Sequence, residues 1–579
     1  MTDFHANGFR LVAMALGFPA VALTIGYAAL GRAGWMDRRE RFAAAWGVGF
    51  AALAASQFLA FLTGIDPRAV HPTFLILALA AAWALGRFVI PGVSPNEPNA
   101  PREPAGVGLW LLGLAHLAVV QTLLPCYLGG GWAFDWWMHY EKARVFVGHL
   151  PVSTTWLEKY SIASRTPLMN LTLAGVLSVA GDTFWTYQWA SVLTSAVVVL
   201  PLALVAGDLA GGRAARLVLI AAPLNVWLLH EAWFTWTKML ASYYLFLSLH
   251  FYSRWLETSS EEPSVAWRRF LACWVASLLA FLTHQITLVY TAAMAVHALV
   301  VNRRRVRALV TPGRTAALAG LAVGLVGPWY AWLWRAVGPS KIVAAVPTAV
   351  VLADHAAQSR WKVVKVYATS AWATFVPDRL IAAALWEPFS AGAIVIHLTA
   401  LYFCQIPGAL TLSLCVYLVA VARVESADPP VHDHRSAVWT FGLLGGLAAL
   451  LLTPYESRYG LAHNSLVPST LAAMLGGWCV LSRGRGWGVR LACLGMMAEF
   501  LGVFWGHLAW LAYYRDTGKI ATDLNWQVRN EYGLVFLNEA VGPAAPWLLG
   551  ACLVIQCALA RRWIEWSWRG SAPEPSNSR

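Results

Sequence analysis

LVAMALGFPAVALTIGYAAL, residues 11–30, is a run of uncharged and mostly apolar residues. As a helix rising 1.5 Å per residue it is about 30 Å long, the thickness of a bilayer's hydrocarbon core. ASVLTSAVVVLPLALVAG from Ala190 has the same character. The runs are continuously apolar rather than alternating, which selects helices over a barrel of strands as the spanning element. Across all 579 residues, 59% are hydrophobic and 12% charged, with a mean hydropathy of +0.56. A soluble domain carries about a quarter charged residues. The sequence therefore predicts an all-α, polytopic integral membrane protein.

Working outward from residue 11, spans are predicted around 10–31, 43–63, 72–91, 106–124, 186–207, 214–229, 238–256, 270–283, 285–301, 315–335, 403–422, 437–453, 465–481, 488–512 and 543–561, about fifteen crossings. Arginine clusters mark alternate loops: Arg38, Arg39 and Arg41, then Arg213 and Arg216, Arg268 and Arg269, VNRRRVR at 301–307, Arg483 and Arg485, and Arg561 and Arg562. Short arginine-rich loops stay in the cytoplasm, so one orientation satisfies them all, with the N-terminus outside and the C-terminus inside. The start lacks a basic n-region and cleavage site, so the first span is expected to remain. The net charge of +13 is spread over these loops, which suits anionic lipid rather than nucleic acid. The eight cysteines are scattered without a CxxC, so neither a disulfide framework nor a zinc site is expected.

Four parts are expected: three leading spans in 1–92, a core over 106–482, further spans over 483–565 with an outer loop at 513–541, and a disordered tail at 566–579. TPLMNLTLAGVLSVAG from Thr166 would invert every later arginine loop if it crossed, so it reads as an amphipathic or re-entrant helix at the outer interface. Residues 380–401 are ambiguous in the same way.

The first large outer loop carries FDWWMHYEKARVF at 134–146. On a helix Asp135, His139 and Lys142 share a face, with Glu141 and Arg144 nearer another. The tryptophans suit a helix lying flat at the interface. A carboxylate there suits a general base; ordinary ion pairs on a solvated helix fit the same residues. All seven lysines fall in segments assigned outside, which fits either chance or an outer phosphate site. VHDHR at 431–435 reads as a solvated cytoplasmic turn, and NLT at Asn170 as a chance match to a glycosylation acceptor.

The order of these features resembles the GT-C superfamily of membrane glycosyltransferases, in particular the protein O-mannosyltransferases and the transferases that move aminoarabinose onto lipid A. The span before FDWWMHYEKARVF leads into an outer loop with Asp135 at the place of that family's essential acid. SRTPLMNLTLAGVLSVAGDTFWTYQW from Ser164 is similar to its juxtamembrane segment, with Arg165, Thr166 and Pro167 at the head. LAFLTHQITLVYTAAMAVHALVVNRRRVR resembles its paired spans with a polar outer turn, GPWYAWLW at 327–334 its Pro-Trp-Tyr, and PYESRYGLAHNSLVPS at 454–469 its Arg-Tyr…Pro stretch. The likeness covers about 106–482. Trp136 stands where many relatives have a second acid, Lys238 at about the place of an Asp, with Glu231 further back, and His284 at the place of a Lys.

The resemblance implies a GT-C-like bundle and an inverting glycosyltransferase. Its donor would be a sugar linked to polyprenyl phosphate, its acceptor a lipid, glycan or protein, and its location the outer face of the plasma membrane. Asp135 takes the catalytic place. Glu141, Arg165, Glu231, Lys238, His284, Arg458 and Tyr459 are the substrate-binding candidates. Arg458 suits a phosphate clamp or an ion pair with Glu456, and the resemblance favours the clamp. His284 suits a helix cap or a phosphate ligand. No metal motif is evident, and metal dependence stays open. The alternative from another class is a transporter or flippase of a lipid-linked or anionic substrate, which would show internal repeats and midplane charges. A non-catalytic scaffold would leave the outer acid-and-base cluster unexplained.

Overall fold

A computed structural model describes residues 4–31, 33–84, 105–123, 133–156, 160–258, 263–344, 408–421, 429–452, 466–484, 486–517 and 544–568, with scattered positions between 359 and 402. Helices run in the order α1 (Phe4–Leu30), α2 (Arg38–Thr63), α3 (Pro67–Ala84), α4 (Ala105–Leu123), α5 (Ala133–Val147), α6 (Leu168–Ala180), α7 (Phe184–Ala196), α8 (Val199–Ala210), α9 (Gly212–Ala221), α10 (Val226–Trp233), α11 (Lys238–Glu257), α12 (Pro263–Thr283), α13 (Thr287–Val301), α14 (Arg303–Leu309), α15 (Pro312–Ala336) and α16 (Pro339–Ala344). Helices Ala409–Val421, Pro429–Trp439, Gly445–Leu452, Val467–Arg483, Trp487–Thr517 and Ala545–Trp568 follow. Among the described residues no strand forms beyond an isolated bridge between Trp156 and Tyr160.

Each of the fifteen predicted spans contains helix among its described residues, with breaks inside some of them, as at Val197–Val198 and Asn225. Seven of these helical segments are long and apolar enough to cross a membrane, or eight if the pair α9–α10, bent by 63°, is one broken span. The architecture is that of a multi-pass membrane protein, but the number fifteen is not reached on length and composition among the described residues.

The leading helices are built into the bundle. α2 packs along α1, α5 and α6. A Cβ on Gly26 would collide with the carbonyl oxygen of Ala45, and one on Gly49 with that of Ala22, so α1 and α2 meet backbone to backbone. α11 locks onto α2 at Gly47, whose N–H donates to Tyr243 Oη at 2.8 Å while Tyr244 Oη donates to its carbonyl at 2.7 Å.

Two expectations for the loop after α4 are revised. The segment from Thr166 is not amphipathic: α6 is buried from Leu168 through Ser178, wedged among α2, α5 and α7. Its polar side chains turn inward to partners, with Thr172 Oγ1 donating to the Leu168 carbonyl at 2.8 Å and Ser178 Oγ to that of Ala174 at 2.7 Å. At 13 residues it is about 20 Å long, too short to cross. α5 is likewise packed into the protein rather than solvated. Met138, Tyr140, Ala143, Val145 and Phe146 are buried, and Trp137 stacks on Phe184 of α7 at 5.2 Å.

α11 fixes two ends. Near its close, His250 bridges Glu40 of α2 (3.1 Å) and Asp208 of α8 (2.6 Å), and Arg254 pairs with Glu40 (3.1 Å) and Glu257 (2.6 Å). His434 lies 3.5 Å from Glu257 and is buried, and residues 429–439 are helical, so VHDHR is not a solvated turn. The arginines of α2's start, α12's start and α14 gather toward this end. Lys238 opens the same helix, about 24 Å away by helical rise.

Candidate functional site

At the Lys238 end, four elements bring basic side chains together. α5 supplies His139 and Lys142, the segment before α6 supplies Arg165, α11 supplies Lys238, and the turn from α12 to α13 supplies His284. The cluster is mutual: the charges of Arg165 and Lys238 act on both His139 and His284, Lys142 acts on His139, and His139 acts on His284.

Each placement has a local cause. Thr166 precedes a proline and so avoids helix. Arg165 before it is extended, at φ −141° and ψ 146°. Ser164 joins two of the cations: Lys142 Nζ donates to its hydroxyl at 2.7 Å and Arg165 Nη1 to its carbonyl at 3.0 Å. An aromatic ring backs each one. Lys142 Nζ lies 5.3 Å from the Trp156 ring, Arg165 5.6 Å from Tyr160, and Lys238 Nζ 3.5 Å from Trp236. A backbone bridge with bonds of 2.7 and 2.8 Å joins Trp156 and Tyr160, the residues that supply the first two rings. Lys238 is the first residue of α11, where the helix dipole disfavours a cation. Its position there is set against local electrostatics.

The histidines are neutral members. Burial, reinforced for His139 by Lys142 and Arg165 and for His284 by Arg165 and Lys238, holds both well below the ordinary imidazole range. His284 Nδ1 accepts the Ile286 N–H at 3.2 Å, so the proton sits on Nε2, which is a donor. His139 Nδ1 donates to Asn170 Oδ1 at 3.3 Å. That buried contact also shows why NLT is no glycosylation acceptor, since Asn170 is 1% exposed. Arg165 Nε is buried with no hydrogen-bond partner among the described residues. Arg41, Arg213 and Arg490 have an Nε in the same state, so what sets Arg165 apart is its place beside Lys142, Lys238 and the two histidines. Three charges and a neutral N–H donor match a phosphate group.

Of the sequence candidates, Arg165, Lys238 and His284 thus converge. His139 and Lys142, legible only as face-sharing neighbours of Asp135, complete the cluster. Asp135 lies on α5 one turn before His139; its side chain is outside the described residues, as are Arg458 and Tyr459 entirely. Glu141 belongs to a different network. It pairs with Arg144 at 3.3 Å, and Arg144 pairs with Asp182 at 2.9 Å. Burial acts to raise the Asp182 carboxyl, but donors from His149, Arg144 and Tyr140 outweigh it and hold the group below its ordinary range. Glu231 is wholly buried on α10, with Oε1 3.6 Å from Nδ1 of His230. Among the described residues no group of three or more His, Cys, Asp or Glu is arranged to hold a metal ion.

No family model and no curated protein matches the chain. Solved structures similar to it include ArnT from Cupriavidus metallidurans bound to undecaprenyl phosphate, at 13% identity over 80% of this chain and 75% of that one, with a TM-score of 0.46. The Archaeoglobus fulgidus oligosaccharyltransferase in its apo form is similar at 13% identity over 82% of this chain and 57% of that one, TM-score 0.37. Likenesses of this degree concern the course of the helices, and no residue's role is carried over from them.

Proposed function

We propose that the protein is an inverting glycosyltransferase that takes a sugar from a polyprenyl-phosphate donor at the outer face of the plasma membrane. The observation that carries this reading is the convergence of Lys142, Arg165, Lys238, His139 and His284 from four separate elements. In this reading the lipid phosphate sits among these groups. As the bond to the anomeric carbon breaks, charge builds on the departing phosphate, and fixed cations stabilise it more than they stabilise the diester. A phosphate leaves as an anion, so no acid is needed to protonate it. Arg458 and Tyr459 are assigned to the same donor, and Glu231 to the sugar side of the site.

Asp135 is assigned as the base. Its register on α5 puts it on the face of His139 and Lys142. It takes the acceptor's proton, and the acceptor attacks from the side opposite the phosphate, inverting the anomeric carbon. The acceptor is a lipid, glycan or protein. Outer location is supported by the arginine clusters at the other end of α11, which positive-inside bias assigns to the cytoplasm.

The test is turnover by the purified protein with a polyprenyl-phosphate sugar. Asp135→Asn keeps the volume but accepts no proton, and is expected to cut turnover about 10²-fold or more while donor binding persists. Glu141→Gln, which only breaks the pair with Arg144, is expected to do far less. Equal turnover by Asp135→Asn and wild type would overturn the assignment.

A further inference from the structure

The hairpin α2–α3, part of the leading helices that lie outside the span of the sequence resemblance, closes the C-terminal ends of α5, which carries His139 and Lys142, and of α6, which follows Arg165. A helix leaves its last four carbonyls without partners inside the helix. On α5, Gln57 Nε2 of α2 donates to the Phe146 carbonyl at 2.8 Å. On α6, Arg68 Nε of α3 donates to the Ser178 carbonyl at 3.3 Å, placing a cation where the helix dipole favours one. Gln57 is 0% exposed and its amide is fixed from both sides. His71 Nε2 lies 2.9 Å from Gln57 Oε1, and Ser178 Oγ lies 3.4 Å from the same oxygen. One buried side chain therefore ties α2, α3, α5 and α6 together. Thr172 Oγ1 adds a contact to the Phe50 carbonyl at 3.2 Å, and Phe61 packs on Phe146 with ring centroids 5.4 Å apart. Phe146 stands four residues after Lys142 and seven after His139, on the same α5.

We propose that Gln57 is a positioning residue for the anion cluster: by capping α5 against the leading hairpin, it sets the axial position and rotation of the helix that presents His139 and Lys142. The leading helices are then a working part of the catalytic unit rather than an added anchor. The inference rests on the anion reading of that cluster for its effect on binding, but not for its effect on α5.

Both effects are measurable in the full-length protein in detergent. Gln57→Leu is expected to speed amide exchange in α5 around residues 137–147 and leave Trp487–Thr517 unchanged. It is also expected to weaken binding of a short-chain polyprenyl phosphate about fivefold or more, the scale of coupling between linked sites. In a Lys142→Met background the same substitution is expected to add little further loss, because both act through one group. Tyr402→Phe, at the remote contact with Glu499, is the stability control and leaves affinity unchanged. Should Gln57→Leu fold poorly, Arg68→Gln on the exposed end of α3 is expected to speed exchange in the last turn of α6. Wild-type exchange in α5 with Gln57→Leu folded, or phosphate binding within twofold of wild type, overturns the inference. Failure of the wild type to bind the lipid phosphate overturns the anion reading instead, while the exchange result still tests the cap.

Discussion

Replacing Arg165 with methionine separates an anion site from a structural cluster of cations. The methionine keeps the apolar stem against Tyr160 and removes the guanidinium. If a phosphate answers the buried Nε, the variant loses at least one hydrogen bond between charged groups, about 1.5–3 kcal/mol. That corresponds to about 10- to 150-fold weaker binding of a polyprenyl phosphate. Arg165→Lys restores a point charge but not the planar fork, so it is expected to recover only part. The unliganded protein should respond in the opposite sense. Arg165 adds to the positive potential felt by His139 and His284 and sits with Lys142 and Lys238. Removing it relieves a repulsion on the order of 1 kcal/mol at intermediate effective dielectric, reduced by salt because Arg165 is only half-buried. Thermal unfolding without ligand is therefore expected to shift up slightly, while the stabilisation gained on adding the lipid phosphate shrinks. A titration of detergent-solubilised protein with a short-chain polyprenyl phosphate, followed by thermal unfolding, reads both. A folded Arg165→Met variant that binds the lipid phosphate within twofold of wild type would refute the reasoning.

Acid should weaken the site's fold in a defined window. Because the folded protein holds His139 and His284 below the ordinary imidazole value of about 6.5, the unfolded chain takes up protons first. Stability is flat above that value and falls as pH drops below it; His139→Gln with His284→Gln is expected to flatten the decline, as followed by melting temperature against pH. Bound phosphate should oppose the same decline by favouring the protonated rings. For orientation, a reporter fused after Arg307 is expected to read cytoplasmic and one near Lys341 outside. A cytoplasmic signal at Lys341 would contradict the assigned face.

Much of the helical framework was legible because apolar runs separated by arginine loops leave little choice of element. What failed was the reading of polar residues inside such runs. Asn170, Thr172 and Ser178 in the segment from Thr166 look like the wet face of an amphipathic helix. In the fold they meet His139, backbone carbonyls and Gln57, and the helix is buried all round. The same ambiguity hid His434, whose partner Glu257 is far away in sequence. For the site, spacing alone put His139 and Lys142 beside Asp135, and the family resemblance pointed to Arg165, Lys238 and His284. Their convergence depends on α5, α6, α11 and the α12–α13 turn meeting in space, which no local pattern encodes. Glu141 illustrates the reverse case. It is adjacent to Lys142 in sequence, but the helix turns it toward Arg144 and Asp182.

The most direct measurement is a structure of the full-length protein in a lipid nanodisc with a polyprenyl phosphate. The phosphate is expected within hydrogen-bond reach of the Arg165 fork, including the now unanswered Nε, and of Lys142 or Lys238, with His284 Nε2 as a further donor. A phosphate resolved at the arginine-rich end near Arg254 and Glu257, or one that leaves Arg165 Nε without a partner, would contradict the account.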